Sequence, residues 1–227
     1  MESVMVFFAG LGIRLLLFVL LFAAFAVPVA AIVFAAQGVV SVRARVRGTV
    51  DAGGVFYKPG VAYTAAHAWV KRQWGRQVKV GLDDVARRVL AGVSSIALPP
   101  IGLRLREGDL IAAVRCGDRL VAIPSPVAGV IVERNRALTD HPSLFEREPY
   151  HRGWMLRVES DAPPAKGLHE GPEAKAWLNG ESLRLSRLLE ARLGLTAADG
   201  GALTGTPATL LSPEAWREVA EQFLRAA

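Results

Sequence analysis

Apolar and polar residues alternate at three places in the middle of the chain, at residues 78–82, 103–106 and 154–159. This period of two is typical of strands with one buried face. Turn signals such as Pro99-Pro100 and Pro124-Ser125-Pro126 separate these short runs. Short strands with frequent turns predict a mainly β domain, built as a compact sandwich or barrel.

One short helix is predicted within this β region. Asp83 is a favourable N-cap residue, and Gly92 lies just beyond the position where the helix should stop. The apolar positions between them share one helical face and are Val85, Ala86, Val89 and Leu90.

Two amphipathic helices are predicted after Pro163-Pro164, a pair that closes the β domain. The first contains Trp177 and is expected to stop at Gly194. The second begins with Ser212 as its N-cap and Pro213 in its first turn. Their apolar faces need a partner, which is the β domain, the other helix or another protein. Packing within the same chain is the ordinary case and is favoured.

The most apolar segment lies near the N terminus, where residues 15–36 carry no charge. A run of about 20 apolar residues spans a bilayer core, so a transmembrane helix is predicted. A cleaved signal peptide is the alternative, but the run exceeds the usual apolar region of about 7–15 residues. Arg43, Arg45 and Arg47 follow the run, and the positive-inside rule then places the rest of the chain on the cytoplasmic side of the inner membrane.

The chain is basic, with a net charge of +6 and a pI of about 10.0. The excess is greatest between residues 43 and 88, where ten side chains are basic and three are acidic. Nucleic acid is not favoured as a partner, because no recognition-helix motif, zinc ligand set or aromatic-basic RNA motif accompanies the charge. Membrane lipids, contacted through the N-terminal helix and the three arginines, explain the basic band more simply.

A tight β-hairpin is predicted at residues 110–123. Glycine accepts the positive φ that the first central position of a two-residue turn requires, so Gly117 and Asp118 are expected to form the turn. The candidate interaction residues at this tip are Arg115, Cys116, Gly117, Asp118 and Arg119.

Several segments between residues 61 and 161 resemble the glycine cleavage system H-protein family, in order and with near-constant spacing. Tyr63-Thr64-Ala65-Ala66-His67-Ala68-Trp69-Val70 is similar to the family's Tyr-Ser-x-x-His-x-Trp-Val, and Ser125-Pro126-Val127-Ala128-Gly129 is similar to its Ser-Pro-Val-Ser-Gly. Further similar segments are Val80-Gly81-Leu82, Leu98-Pro99-Pro100-Ile101-Gly102, and Glu148-Pro149-Tyr150 followed by Gly153-Trp154. The resemblance implies a lipoyl-domain-like barrel-sandwich hybrid.

Members of this family carry lipoate on a lysine in a Glu-Ser-Val-Lys-Ala hairpin. Counting back from Ser125-Pro126 without a gap places that lysine at Asp118 and the family's glutamate at Arg115. No lysine lies between Lys79 and Lys166, and an amide to lipoate requires an amine. The resemblance therefore implies a degenerate, non-lipoylated member without a cofactor.

Cys116 is the one cysteine and the remaining candidate for redox chemistry. Its arginine neighbours would favour the thiolate if they also flank it in space, whereas a small buried residue behind the turn is the commoner role. The four histidines form no ligand set, and no phosphate loop, nucleophile elbow or carboxylate pair is recognisable. We predict neither a metal site nor catalytic residues, and hence no enzyme.

These features divide the chain into four regions: a transmembrane anchor (1–42), a basic juxtamembrane linker (43–60), an H-protein-like β domain (61–162) and a helical C-terminal extension (163–227). They predict a membrane-anchored docking or assembly subunit whose partners are other protein subunits. Two alternatives stay open, an H-protein-related role in glycine decarboxylation and a thiol-based role of Cys116.

Overall fold

Antiparallel strands dominate the computed structural model. It describes residues 17–18, 21–22, 24–29, 49–52, 54–162, 168–194 and 208–224, and the chain divides into two units, Met1–Arg47 and Gly48–Ala227. The strands, numbered in chain order, are β1 Val50–Ala52, β2 Val55–Tyr57, β3 Ala62–Tyr63, β4 Ala68–Arg72, β5 Gln77–Leu82, β6 Val93–Ala97, β7 Arg104–Leu105, β8 Leu110–Cys116, β9 Arg119–Pro124, β10 Gly129–Arg134 and β11 Trp154–Ser160.

The strands form three antiparallel sheets, which confirms the prediction of a mainly β fold. One sheet has the order β3-β4-β5-β11-β10-β7, and a second has the order β6-β8-β9. The third pairs β1 with β2, so two strands lie inside the segment that the sequence presented as a linker. The side chains buried by these strands belong to one continuous apolar core.

Helices fill the remaining connections. Asp83 caps the predicted helix, because its carboxylate accepts the backbone N–H groups of Val85 and Ala86, both at 2.9 Å. The β domain was expected to contain this single short helix, but the structure adds two more between β10 and β11. The helices are α1 Asp84–Val89, α2 Arg136–Asp140, α3 Ser143–Arg147, α4 Gly171–Leu193 and α5 Pro213–Leu224, with a 3₁₀ helix at Ala208–Leu210.

The alternating pattern fails in detail at the start of β11. The pairing of β11 with β5 shifts between Trp154 and Leu156, and the irregularity buries Met155 while leaving Trp154 half-buried. The sequence pattern had placed Trp154 on the buried face. An irregularity of this kind reverses the two faces locally, which a strict period of two cannot anticipate.

The predicted membrane anchor lies mostly outside the described residues. The described ones, 17–18, 21–22 and 24–29, are helical. No helix within the described part of the chain has both the length and the apolar composition that a bilayer crossing needs. The prediction of a single-pass inner-membrane protein with its domain on the cytoplasmic side is therefore wrong on this finding. Arg43, Arg45 and Arg47, to which lipid contacts were assigned, lie outside the described residues.

The two C-terminal helices pack against the β domain, as the favoured alternative predicted. Helix α4 ends at Leu193 with Gly194 in the left-handed conformation (φ 63°), and α5 begins at Pro213. The indole N–H of Trp216 on α5 donates a hydrogen bond of 3.0 Å to the carbonyl of Val89 at the end of α1. The apolar faces of both helices are buried in the common core.

A buried histidine joins the β domain to both of these helices. His67 is fully buried and is the one described non-glycine residue with a positive φ, 56°. Its imidazole stacks on Trp177 of α4 and Phe223 of α5, with ring centroids 5.1 and 5.6 Å away. Its Nδ1 lies 2.8 Å from the carboxylate of Asp83, the residue that also caps α1.

A second carboxylate faces the other side of this ring. His67 Nε2 lies 3.5 Å from Glu181 Oε2 of α4 without the alignment of a hydrogen bond, so the contact is a charge attraction. Burial by itself would lower the pKa of His67, but Asp83 and Glu181 outweigh it and raise the pKa to about 9. The imidazolium form therefore holds the C-terminal extension at neutral pH.

This raised pKa predicts a loss of stability at alkaline pH. The stabilisation is complete below the unfolded-state pKa of about 6.5 and disappears as the pH rises towards 9. The free energy of unfolding of the wild type, measured relative to that of a His67→Gln variant at the same pH, should fall by about 3 kcal/mol as the pH rises from about 6.5 to about 9. Urea denaturation at a series of pH values measures the change.

The matched control is His141→Gln, which changes an exposed histidine at the end of α2 and should leave the pH profile as in the wild type. Glu181→Gln should remove part of the pH-dependent stabilisation that His67 provides. Parallel stability curves for the wild type and His67→Gln from pH 6.5 to 9 would contradict the proposed charge state.

A second prediction concerns Gly129, which pairs with both Leu105 and Ser160. Its φ is +152°, and an added Cβ would lie 2.2 Å from the carbonyl oxygen of Glu159. Gly129→Ala should therefore destabilise the fold by more than about 2 kcal/mol in urea denaturation. Gly180→Ala is the control: no atom lies within 4 Å of that Cβ in α4, and it should stabilise by about 0.5–1 kcal/mol. Equal effects of the two changes would contradict the packing described here.

Candidate functional site

The hairpin of β8 and β9 forms the candidate site, and it has the predicted two-residue turn. Cys116 pairs with Arg119, which leaves Gly117 and Asp118 as the turn residues. Gly117 has a φ of 63°, a conformation that glycine adopts without steric cost. The turn thus directs Asp118 to the end of the hairpin.

The outward side of the tip offers one cation and one carboxylate to solvent. Arg115, Gly117 and Asp118 are all exposed. Within the described part of the chain, the side chains of Arg115 and Asp118 make no hydrogen bond or ion pair. The backbone carbonyl of Arg115 does accept a bond of 3.1 Å from the Ser94 hydroxyl on β6. The tip is therefore held by its backbone while its charged groups remain available.

Cys116 points the other way, into the core. Its side chain is 7% exposed, and its thiol donates to the carbonyl of Leu90 at 3.3 Å. Burial, reinforced by the carboxylate of Glu146 and opposed by Arg119, raises the pKa of the Cys116 thiol to about 12. The thiolate, which is the reactive form, is therefore scarce at neutral pH. The contacts match the alternative of a small residue behind the turn.

Arg119 connects the hairpin to the C-terminal extension rather than to solvent. Its guanidinium donates to the carbonyls of Ala208 (3.3 Å) and Leu211 (2.7 Å). It also lies 5.1 Å from the ring centre of Trp216, within the range of a cation–π contact. The five candidate residues thus separate into three exposed ones, one core residue and one that fixes the tip in place.

This role of Arg119 could not be found from the sequence around the hairpin. Its partners Ala208 and Leu211 are about ninety positions further along the chain. The one available signal was the apolar stripe of the last helix, which required some surface to cover it. The stripe did not indicate which surface of the chain would cover it.

Other chemistry-bearing groups in the described residues do not assemble into a metal or catalytic centre. No group of three or more His, Cys, Asp and Glu side chains is placed to hold a metal ion within that part of the chain. The cluster of His67, Asp83 and Glu181 is closed by Trp177 and Phe223 and contains no nucleophile. Its geometry serves packing of the C-terminal helices.

Comparisons with known proteins point to one family. The family model of the glycine cleavage H-protein matches residues 61–180, which is more than half of the chain. The glycine cleavage system H protein of Bacteroides thetaiotaomicron is 29% identical over 125 residues, covering 55% of this chain and 98% of that protein. The H protein of Mycobacterium avium is 35% identical over 105 residues, covering 46% of this chain and 80% of that protein.

Among solved structures, a glycine cleavage system H protein from Mycobacterium marinum is similar, with a TM-score of 0.48 and 26% identity over 55% of this chain and 99% of that one. The matched residues 61–180 begin just before β3, include the hairpin tip and end within α4. On the match of the family model and the identity with its relatives, the chain belongs to the glycine cleavage H-protein family.

Proposed function

We propose that this protein is a non-lipoylated member of its family that binds enzymes of glycine cleavage through the hairpin tip, without carrying an arm. The observation that carries the proposal is the exposed two-residue turn with Asp118 at the family's lysine position. A carboxylate cannot form an amide with lipoate. What the tip offers instead is one exposed cation, Arg115, and one exposed carboxylate, Asp118.

The surrounding sequence supports the absence of the arm. No lysine lies between Lys79 and Lys166, so a shift of the alignment by one or two residues brings no amine to the tip. The arginine at position 115, where the family has glutamate, changes the charge next to the turn as well. A lipoate-attaching enzyme would meet a surface of altered charge and no acceptor.

The structural support comes from how firmly the tip is held. Cys116 is anchored in the core, Arg119 is fixed by the C-terminal extension, and the Ser94 hydroxyl donates to the backbone carbonyl of Arg115. We take the two larger sheets to be the lipoyl-domain-like barrel-sandwich hybrid that the family resemblance implies. A surface that is already ordered loses less entropy on association, which suits docking.

Glycine cleavage is preferred over an unrelated complex because the relatives are named glycine cleavage system H proteins. Binding is preferred over catalysis because the exposed tip presents one carboxylate and one guanidinium without the adjacent base and orienting group that activate a nucleophile. The thiol-based alternative is weaker, since the Cys116 thiol is buried and its pKa is raised.

Binding measurements with the purified enzymes of glycine cleavage from the same organism test this function. The full chain should bind at least one of them in isothermal titration calorimetry. A charge-inverted variant, Arg115→Glu with Asp118→Arg, should bind at least about tenfold more weakly, because paired charges at an interface are sensitive to inversion.

The matched control inverts an exposed cation and carboxylate away from the tip, Arg152→Glu with Asp140→Arg, and should retain wild-type affinity. Cys116→Ser should also retain it. Failure of the wild type to bind any of the enzymes would overturn the proposed function. Equal losses in the two charge-inverted variants would show that the tip is not the docking surface.

A further inference from the structure

The hairpin of β4 and β5 presents an exposed tryptophan on a fixed support. Trp74 is 94% exposed at the turn between these strands. The turn is closed by bonds from Gln73 N–H to the Gln77 carbonyl (2.9 Å) and from Gln77 N–H to the Trp74 carbonyl (3.3 Å). Arg76 then ties the turn to the end of β11 by donating to the carbonyl of Ser160 at 3.1 Å.

An indole in this position can be buried by a partner without rearrangement of the turn. Tryptophan is among the residues that contribute most at protein interfaces, because it buries a large apolar area with few rotatable bonds. A rigid turn lowers the entropy cost of that burial further. Trp74 therefore has the properties of an interface anchor rather than of a core residue left at the surface.

The strands that lead to Trp74 carry a row of cations on one sheet face. Lys71 of β4 lies directly opposite Lys79 of β5, and Lys79 lies directly opposite Arg157 of β11. Like charges in opposite positions destabilise a sheet. Glu133 of β10 offsets the positive charge of Arg157 through an ion pair of 2.8 Å. Glu133 lies at the end of the row, directly opposite Arg157.

Lys79 is the central member of this row, between Lys71 and Arg157. Burial, followed by the charges of Arg157 and Lys71, lowers the pKa of Lys79, although Glu133 opposes the effect. The ammonium also lies 4.7 Å from the ring centre of Trp154, which keeps it on the face of the sheet. An anionic group brought to this face would relieve the repulsion.

We propose that the β4–β5 hairpin is a docking surface for an acidic protein segment, with Trp74 packing against an apolar side chain of that segment and Lys71 and Lys79 pairing with its carboxylates. This surface is separate from the β8–β9 tip, and the proposal does not rest on the function proposed above. Binding at two hairpins would let the chain contact two partners or two regions of one partner.

A protein fits this face better than nucleic acid does. Single-stranded nucleic acid is bound by several aromatic side chains that stack on successive bases. In the described part of Gly48–Ala227, Trp74 has no second exposed aromatic side chain beside it.

Selection of displayed random peptides on the full-length protein tests this proposal without requiring a known partner. Enriched peptides should contain aspartate or glutamate on both sides of an aromatic or branched aliphatic residue. Their synthetic versions should bind at least about tenfold more weakly to Trp74→Ala, and likewise to Lys71→Glu with Lys79→Glu. Raising the salt concentration should weaken binding as well.

The matched controls are Lys175→Glu on α4 and Leu210→Ala, which change an exposed cation and an exposed apolar side chain elsewhere and should bind like the wild type. Circular dichroism confirms that each variant is folded. The proposal is overturned if no peptides are enriched, if enriched peptides lack an excess of acidic residues, or if Trp74→Ala binds them equally well. Trp74-dependent binding of a single-stranded oligothymidylate in place of acidic peptides would overturn it too.

Discussion

The contact between His67 and its two carboxylates is the interaction on which the arrangement of the molecule depends. Asp83 holds one side of the imidazole and also caps α1, while Glu181 draws α4 to the other side. Trp177 of α4 and Phe223 of α5 also stack on this ring. A charged group with no access to water is costly unless it is paired, so helices and β domain are stable together rather than apart.

The hairpin tip is a consequence of this docking. Once α5 lies against the β domain, the carbonyls of Ala208 and Leu211 reach Arg119, and Trp216 covers its guanidinium. A cation that the sequence placed at an exposed tip becomes a structural connection. The exposed part of the tip is small and has Arg115 and Asp118 as its charged groups. The buried core supports it from the other side.

Local features of this fold could be predicted from the sequence, because they are encoded by neighbouring residues. Asp83 as a cap, Gly194 as a helix end and Gly117 in the turn all depend on backbone geometry within a few positions. Contacts between distant residues could not be predicted. Glu181 is more than one hundred positions from His67, and no periodic pattern links them. The pairing of β1 with β2 was missed for a different reason, since Gly53-Gly54 indicated a linker. The membrane prediction rested on the length of an uncharged run and on the arginines after it, whereas no described helix has the length and apolar composition for a bilayer crossing.

We infer that the hairpin tip occupies the family's carrier position and, with Asp118 in place of lysine, lacks the carrier chemistry. The most direct test is the intact mass of the full chain, purified from the cells that produce it naturally. We expect the mass of the unmodified polypeptide, because the tip holds a carboxylate and no amine. An added mass of about 188 Da, the value for lipoate joined to an amine, would contradict the account.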